Sequence, residues 1–214
     1  MDDGSGDCVG ILLAGGYGRR YAALSGGADK LTARLPDGRI VAQAAAAHLV
    51  QALGEVWAVV RPERADLAEL LAQEGCRVLA APQARDGMGA SLGAAARALL
   101  QAPGWVGRTG ERTDPPRCLV ALADMPWLRP ATIAAIARGS RGHLISAPVW
   151  QGRRGHPVAF AAPLWTELAG LEGDEGARAL LRRHGVQALP TQDPGVLADV
   201  DTPEDLARGG QAGA

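Results

Sequence analysis

Short apolar runs alternate with longer segments of helical periodicity along most of this chain. The runs predict strands, because they are brief and apolar on both faces; they cover residues 9–14, 55–60, 76–80, 118–123, 143–149, 157–160 and 186–189. The segments between them predict helices at residues 40–53, 64–74, 90–101, 130–138, 163–170 and 174–184. Such alternation is typical of βαβ units. We therefore predict an α/β protein with a mainly parallel sheet and helices on both of its faces.

The other segments are predicted to lie at the surface or at the ends. Residues 102–117 are polar and rich in glycine and proline, which predicts a loop. Residues 1–8 and 207–214 are predicted to be flexible tails. The length of 214 residues suits one substantial domain or at most two small ones. Because we find no internal repeat, we expect a single domain over residues 9–206.

The composition narrows the class of protein. Hydrophobic residues make up 47% and charged residues 21%, as in ordinary globular proteins. The formal net charge of −1 argues against a nucleic-acid partner, which selects for a basic excess. No apolar run approaches the roughly 20 residues of a membrane span, and the acidic N-terminus lacks the layout of a signal peptide. Three widely spaced cysteines predict buried free thiols in a reducing compartment, so we expect a cytoplasmic protein without a membrane partner.

The most informative segment for chemistry is VGILLAGGYGRR, residues 9–20. Its apolar run stops at glycines, which let the backbone turn and bring N–H groups close to a ligand. The basic side chains that follow are Arg19, Arg20 and Lys30. Glycines and cations at one strand end suit a nucleoside triphosphate. The alternative is an ordinary strand-to-helix turn with solvated arginines.

Two better-known glycine motifs are excluded. A P-loop requires Gly-Lys followed by Ser or Thr, and the chain contains no Gly-Lys pair. The dinucleotide fingerprint requires a third glycine at the position of Tyr21. A nicotinamide-dependent reductase is therefore the least favoured enzyme class.

Acidic residues mark two further places along the chain. Asp124 follows a predicted strand, at the end where open α/β sheets bind ligands. Mg²⁺ prefers carboxylate and phosphate oxygens, so Asp124 is a candidate ligand, with a turn carboxylate as the alternative. In ADVDTPED, residues 198–205, Asp199 and Asp201 could face the same ion. Asp201 or Thr202 could instead cap the helix that follows.

Two more segments combine glycines with polar side chains. In DGMGASL, residues 86–92, Ser91 lies near a helix start whose N–H groups could read the edge of a base. A plain loop capped by Ser91 is the alternative. In QGRRGHPVAF, residues 151–160, Arg154 and His156 could bind the phosphate of a second substrate. A structural hydrogen bond is the alternative role for His156.

Together these segments resemble the nucleotidyltransferases that complete the molybdenum cofactor, most closely the molybdenum cofactor cytidylyltransferases. The matching segments, in order, are LAGGYGRR, DKL, GMGASL, LADMP, GRRGHPVAF, GDEGARALL and DVDTPED. The resemblance implies a single Rossmann-like three-layer domain with a mainly parallel, mixed sheet. It also implies transfer of a nucleoside monophosphate to a phosphorylated acceptor, release of pyrophosphate and a requirement for Mg²⁺.

The resemblance assigns roles to individual residues. Contacts to the nucleotide are implied for Leu13, Ala14, Gly15, Gly16, Arg19, Arg20, Lys30, Gly89 and Ser91. The implied catalytic residues are Arg20, Lys30 and Asp124. The implied magnesium ligands are Asp124 and Asp201. The acceptor would lie beside Arg154 and His156.

The implied substrates are CTP, as donor of CMP, and molybdenum-loaded molybdopterin, with transient contact to a molybdoenzyme or its chaperone. The triplet Ala14-Gly15-Gly16 looks like the guanylyltransferase relatives, whereas GMGASL and GRRGHPV favour the cytidylyl side. In two departures from the family, Tyr21 replaces a usual Met and AALSGGAD lengthens the approach to Lys30. The alternatives are GTP as substrate, another phosphorylated acceptor, and a non-catalytic nucleotide-binding chaperone.

Overall fold

The structure is a computed structural model, and it describes residues 8–102 and 117–208. The strands are β1 (Cys8–Leu13), β2 (Val56–Val60), β3 (Arg77–Ala80), β4 (Arg117–Leu122), β5 (Ile145–Trp150), β6 (Arg153–Arg154), β7 (Val158–Ala161) and β8 (Gln187–Pro190). The α-helices are α1 (Arg19–Leu24), α2 (Val41–Leu53), α3 (Ala65–Gln73), α4 (Met88–Gln101), α5 (Pro130–Gly139), α6 (Trp165–Ala169), α7 (Arg178–His184) and α8 (Pro203–Arg208). Short 3₁₀ turns lie at Lys30–Thr32, Pro82–Asp86, Ala162–Leu164 and Pro194–Leu197.

All of these strands belong to one mixed sheet, in the order β3-β2-β1-β4-β7-β5-β6, and β8 pairs with β5. Strands β1 to β4 run parallel, whereas β7 is antiparallel to both β4 and β5. Leu13, the last residue of β1, is in register with Val59 of β2 and Leu122 of β4. The carboxyl ends of these three strands therefore lie side by side. The predicted α/β fold with a mainly parallel, mixed sheet is confirmed.

Helices cover both faces of the sheet and produce three layers. One apolar core lies between the sheet and α2, α3 and α5, and it includes Leu12, Leu49 and Ile133. The other lies between the sheet and α4, α6 and α7, and it includes Ile11 and Leu99. The neighbours Ile11 and Leu12 enter opposite cores because side chains alternate along a strand. Burial of both strand faces explains why the sequence shows continuous apolar runs.

The structure differs from the predicted elements where an element is short or interrupted. The sequence pattern does not predict α1 or β6, because periodicity has little meaning over six or two residues. The helix predicted at 174–184 begins only at Arg178, since Gly173 and Gly176 have φ angles of 62° and 61°, outside the helical range. The helix predicted at 163–170 divides into a 3₁₀ turn and α6. The predicted loop and most of both predicted tails lie outside the described residues.

The described helices are short, and none combines the length with the apolar character needed to cross a membrane. All three cysteines are buried. Burial raises the pKa of Cys76 to about 12, so its thiol is protonated at neutral pH. A protonated buried thiol behaves as a small apolar group, which favours a packing role.

Candidate active site

The carboxyl ends of β1 and β4 border a cleft of about 560 Å³. Its walls are the loop after β1, the turn that carries Lys30, the start of α4, and the loops after β4 and before α8. Of the residues predicted to contact a nucleotide, those that line the cleft are Leu13, Gly15, Gly16, Arg19, Arg20, Lys30 and Ser91. The fold therefore brings most of the predicted residues to one place.

The glycine loop, residues 15–18, joins β1 to α1. A Cβ on Gly15 would lie 2.9 Å from Ala84 Cβ, so there is no space here for a side chain. Gly16 is different, because no atom lies within 4 Å of such a Cβ and its backbone borders the open cleft. Gly18 has a φ of 56°, a left-handed conformation that favours glycine, and it immediately precedes α1. The loop thus leaves bare backbone exposed to a ligand.

Lys30 is the only lysine in the sequence, and it lies beside the glycine loop: a Cβ on Gly18 would meet Lys30 Cγ at 3.2 Å. Lys30 Nζ donates to Asp124 Oδ2 at 2.6 Å and to Asp201 Oδ1 at 3.0 Å. Arg20 donates to the other carboxylate oxygen of Asp201 at 2.7 Å. Burial by itself would lower the pKa of Lys30, but the two carboxylates outweigh it and the pKa is raised. Lys30 is therefore charged at neutral pH.

Asp124, Asp199 and Asp201 form an acidic cluster, in which one carboxylate oxygen of each lies within 4.8 Å of the others. The Val200 N–H donates to Asp124 O at 2.8 Å and holds the loop before α8 against the end of β4. Desolvation, and then repulsion from its two acidic neighbours, raises the pKa of Asp199. Asp124 Oδ1 is buried and has no hydrogen-bond partner among the described residues. These features fit a divalent cation, because a hard ion would supply the missing partner and relieve the repulsion.

The helix cap of α8 separates the two roles considered for Asp201. Asp205 Oδ2 accepts hydrogen bonds from the N–H of Asp201 at 3.0 Å, and from the N–H and hydroxyl of Thr202 at 2.7 Å and 3.0 Å. This is the acidic half of a capping box, with the acid three residues after the threonine, and the Asp205 N–H donates to the backbone oxygen of Thr202 at 3.2 Å. The Asp201 carboxylate takes no part in the cap. It is directed to Lys30 and Arg20 instead.

The second glycine segment, residues 86–92, packs against the glycine loop. Ser91 Oγ donates to Gly87 O at 2.8 Å, and it lies 3.1 Å from the position that a Cβ on Gly15 would take. Ser91 also lines the cleft. Gly89 is buried behind the cleft, where a Cβ would lie 2.6 Å from Glu172 O. Gly89 therefore allows α4 to pack closely against the loop after α6, and the structure does not bring it to the cleft surface.

The predicted acceptor residues lie outside the cleft lining. Arg154 is exposed on β6. His156 is partly buried just before β7, and its Nδ1 lies 3.3 Å from Val120 O. Burial lowers the pKa of His156, and the nearby Asp124 carboxylate opposes that shift only in part. The imidazole is therefore mainly neutral at pH 7.

Sequence reasoning missed an aromatic contact in the cleft wall. The ring of Tyr17 lines the cleft, with Arg61 Cζ at 4.0 Å and Arg19 Cζ at 5.4 Å from its centre. An aromatic residue between two glycines of the loop is a signal that could have marked Tyr17, but nothing in the sequence marks Arg61. Ala14, in contrast, was implied as a nucleotide contact, and the structure buries it without bringing it to the cleft lining.

The chain is similar to known proteins along nearly its whole length. Residues 10–189 match the family described as the MobA-like NTP transferase domain. The purine catabolism protein PucB of Bacillus subtilis (strain 168) is 28% identical over 208 residues, which cover 92% of this chain and 93% of PucB.

Solved structures show the same fold. The crystal structure of Rv0371c from Mycobacterium tuberculosis H37Rv has 26% identity and a TM-score of 0.73, and the match covers 95% of this chain and 97% of that one. A complex of that protein with manganese has 25% identity and a TM-score of 0.71, over 94% and 96% of the two chains. Molybdopterin-guanine dinucleotide biosynthesis protein A from Archaeoglobus fulgidus has 19% identity and a TM-score of 0.64, over 95% and 97%.

Proposed function

Because the chain belongs to the MobA-like NTP transferase domain family, we propose that it transfers CMP from CTP to the terminal phosphate of molybdopterin. The family makes the protein a nucleotidyltransferase, and the base and the acceptor are the proposed part. The observation that carries the proposal is the meeting of Lys30 and Arg20 with the acidic cluster beside a glycine loop. Exposed backbone N–H groups and cations suit a triphosphate, and carboxylates suit its divalent counter-ion.

In the proposed reaction, a terminal phosphate oxygen of molybdopterin attacks the α-phosphorus of CTP in line with the leaving group. The new P–O bond forms as the bond to the bridging oxygen breaks, and the electron pair leaves with pyrophosphate. The attacking phosphate is already an anion, so no strong general base is needed. The protein contributes position and charge compensation. Arg20 and Lys30 would bind the phosphates and stabilise the charge that develops on pyrophosphate.

The acidic cluster would hold Mg²⁺, with Asp124 and Asp201 as the predicted ligands and Asp199 as a third. When bound, Mg²⁺ would act as a Lewis acid on the phosphate oxygens. Three carboxylates facing two cations leave this part of the cleft acidic, which would repel a triphosphate unless a divalent cation were also present. The manganese complex of the mycobacterial relative supports a divalent cation in this fold.

The two substrates are assigned to different residues. Arg154 and His156 would contact the phosphate of molybdopterin, because GRRGHPVAF resembles the cytidylyltransferases and His156 Nδ1 lies 3.3 Å from Val120 O of β4, the strand that precedes Asp124. Ser91 and the glycine loop would border the nucleoside. We propose CTP because GMGASL and GRRGHPV resemble the cytidylyltransferases. A cytoplasmic location and transient contact with a recipient molybdoenzyme or its chaperone belong to the same proposal.

GTP is the second candidate substrate. The triplet Ala14-Gly15-Gly16 resembles the guanylyltransferase relatives, and its two glycines line the cleft. The two candidates share the chemistry and the metal site. Only the contacts to the base separate them.

The test is pyrophosphate release by the full chain with Mg²⁺ and molybdenum-loaded molybdopterin, comparing CTP, GTP, ATP and UTP. Release with CTP alone supports the proposal, and release with GTP alone replaces CTP by GTP. Nucleotide binding without release from any of the four would reject molybdopterin as acceptor. Another phosphorylated acceptor or a non-catalytic nucleotide-binding chaperone would then be the better explanation.

A pair of variants ties any activity to the cleft. Asp124→Asn removes a charge from the acidic cluster and should reduce turnover about 10²-fold, as loss of other electrostatic groups does. Asp37→Asn makes the same chemical change in an exposed turn, where the carboxylate pairs with Arg39. The control should keep turnover within about twofold of wild type. Equal loss in both variants would separate the activity from the cleft.

A further inference from the structure

Lys30 lies in a short turn that is only weakly stabilised by contacts among its own residues. The turn is a 3₁₀ helix of three residues, and Asp29 Oδ1 caps it by accepting from Leu31 N–H at 2.8 Å. The chain reaches it through Gly26 and Gly27, where a Cβ would find no atom within 4 Å. Leu31, next to Lys30, is buried in the core and anchors one side. The other side, at Asp29, does not belong to the apolar clusters of the described residues and makes polar contacts instead.

Arg64 holds the side at Asp29, from the loop after β2 and immediately before α3. Its Nη1 donates to Asp29 Oδ2, the oxygen that the cap does not use. Its Nε and Nη2 donate to the two oxygens of Asp66, each at 2.9 Å. Asp66 thus fixes the plane of the guanidinium, so the third donor is already oriented when it meets Asp29. The Arg64 side chain is only 13% exposed, so this contact is less screened by water than an ordinary surface pair.

We propose that Arg64 is a positioning residue, which acts through Asp29 to hold the Lys30 ammonium between the carboxylates of Asp124 and Asp201. We call the Arg64–Asp29 pair the clasp. It joins the loop after β2 to the turn that carries Lys30, which the lengthened segment AALSGGAD would otherwise hold only weakly. Arg64 itself does not line the cleft. Its effect reaches the reaction only through Lys30, so this inference rests on the proposed function for its kinetic consequence.

The unique lysine offers a test that is independent of activity. An amine-reactive reagent can modify only one side chain of this protein, Lys30, and that side chain is 11% exposed and paired with two carboxylates. If the clasp is broken, the ammonium spends more time in solvent and reacts faster. The rate of Lys30 modification, followed by peptide mass spectrometry against a denatured reference, therefore reports its position directly.

Four variants isolate the clasp. Arg64→Gln and Asp29→Asn each break the pair, and Asn keeps the oxygen that caps Leu31. The double variant tests whether the two residues act through each other. Asp37→Asn is the matched control, because it makes the same chemical change as Asp29→Asn in an exposed turn, where the carboxylate pairs with Arg39. Thermal unfolding of all four checks that the fold is intact.

We expect Arg64→Gln and Asp29→Asn each to raise the rate of Lys30 modification about tenfold, within the range of coupled neighbours, with the double variant no worse than either. Pyrophosphate release should fall by a similar factor in kcat, because Lys30 also acts on charge that develops in the transition state. Asp37→Asn should stay within about twofold of wild type in both assays.

Other outcomes would overturn the clasp, its positioning role or the proposed function. Lys30 modification at the wild-type rate in Arg64→Gln would overturn the clasp, as would single effects that multiply in the double variant. If the two single variants raise the rate of Lys30 modification but the wild type transfers no nucleotide, the proposed function is refuted and the clasp stands. Transfer of nucleotide with unchanged kcat in both single variants would overturn the positioning role and leave the proposed function standing.

Discussion

Two adjacent glycines of the cleft should respond in opposite ways to the same substitution. At Gly15 a Cβ would lie 2.9 Å from Ala84 Cβ and 3.1 Å from Ser91 Oγ, one in a 3₁₀ turn and the other in α4. Neither neighbour is the flexible end of a long side chain, so backbone must shift. At Gly16 there is nothing within 4 Å, and the position borders the cleft. Alanine should therefore cost stability at Gly15 and nucleotide affinity at Gly16.

The magnitudes follow from the two environments. Overpacking costs about 1–3 kcal/mol, which for a domain of this size lowers the melting temperature of Gly15→Ala by roughly 2–12 °C. Gly16→Ala carries no such penalty. By restricting the unfolded chain, it should stabilise the protein by about 0.4–1 kcal/mol. The methyl group would, however, keep the ligand from the bare backbone that the loop presents.

Thermal unfolding by circular dichroism and calorimetric titration of nucleotide with Mg²⁺ measure the two quantities separately. The expected result is a destabilised Gly15→Ala and a stable Gly16→Ala with at least about tenfold weaker nucleotide binding, equivalent to ~1.4 kcal/mol. Destabilisation of both variants to the same extent would refute the packing argument. Unchanged nucleotide affinity in Gly16→Ala would remove the glycine loop from the binding site.

Three further predictions concern charge. Lys30→Arg should lose at least about tenfold in turnover of pyrophosphate release, because a planar guanidinium cannot replace a compact ammonium between two carboxylates. Mg²⁺ should accelerate chemical modification of Lys30 in wild type, because the ion and the ammonium compete for Asp124. Asp124→Asn should remove this response to Mg²⁺. A modification rate that does not depend on Mg²⁺ in wild type would reject the competition. Burial and then Arg39 lower the pKa of His48 below its unfolded value near 6.5. The folded state therefore binds fewer protons than the unfolded state. The stability that His48 contributes is complete above that pH and should be lost as pH falls. Denaturant titrations from pH 7.5 to 5.5 should show this slope reduced in His48→Gln, though His156 adds to it in the same direction, and an equal slope in both proteins would contradict the assignment.

The sequence predicts the sheet well and the short elements poorly, for one physical reason. A strand buried on both faces must be apolar throughout, so β1 and β4 stand out as continuous runs. The six residues of α1 carry basic side chains and no full amphipathic period, and their start depends on the left-handed φ of Gly18. Where tertiary packing or one backbone angle defines the element, local pattern carries little information.

The candidate site shows the same division. Asp124 can be recognised because it directly follows a strand end, where α/β sheets bind ligands. Asp201 could not be assigned, since capping and metal binding both use aspartate near a helix start; the contacts of Asp205 separate the two roles. Gly16 and Gly89 look alike in sequence, yet one borders the cleft and the other packs on Glu172.

The local sequence thus predicts the layers of the fold and the strand ends that carry the chemistry, because hydrophobic periodicity and turn residues are local properties. Which of those ends meet depends on the folded sheet. Lys30 pairs with Asp124 and Asp201 across long separations in sequence, and it does so because β4 lies parallel to β1 with their last residues in register. Strand order and register are set by how the whole sheet packs against both helical layers, and no local pattern records them.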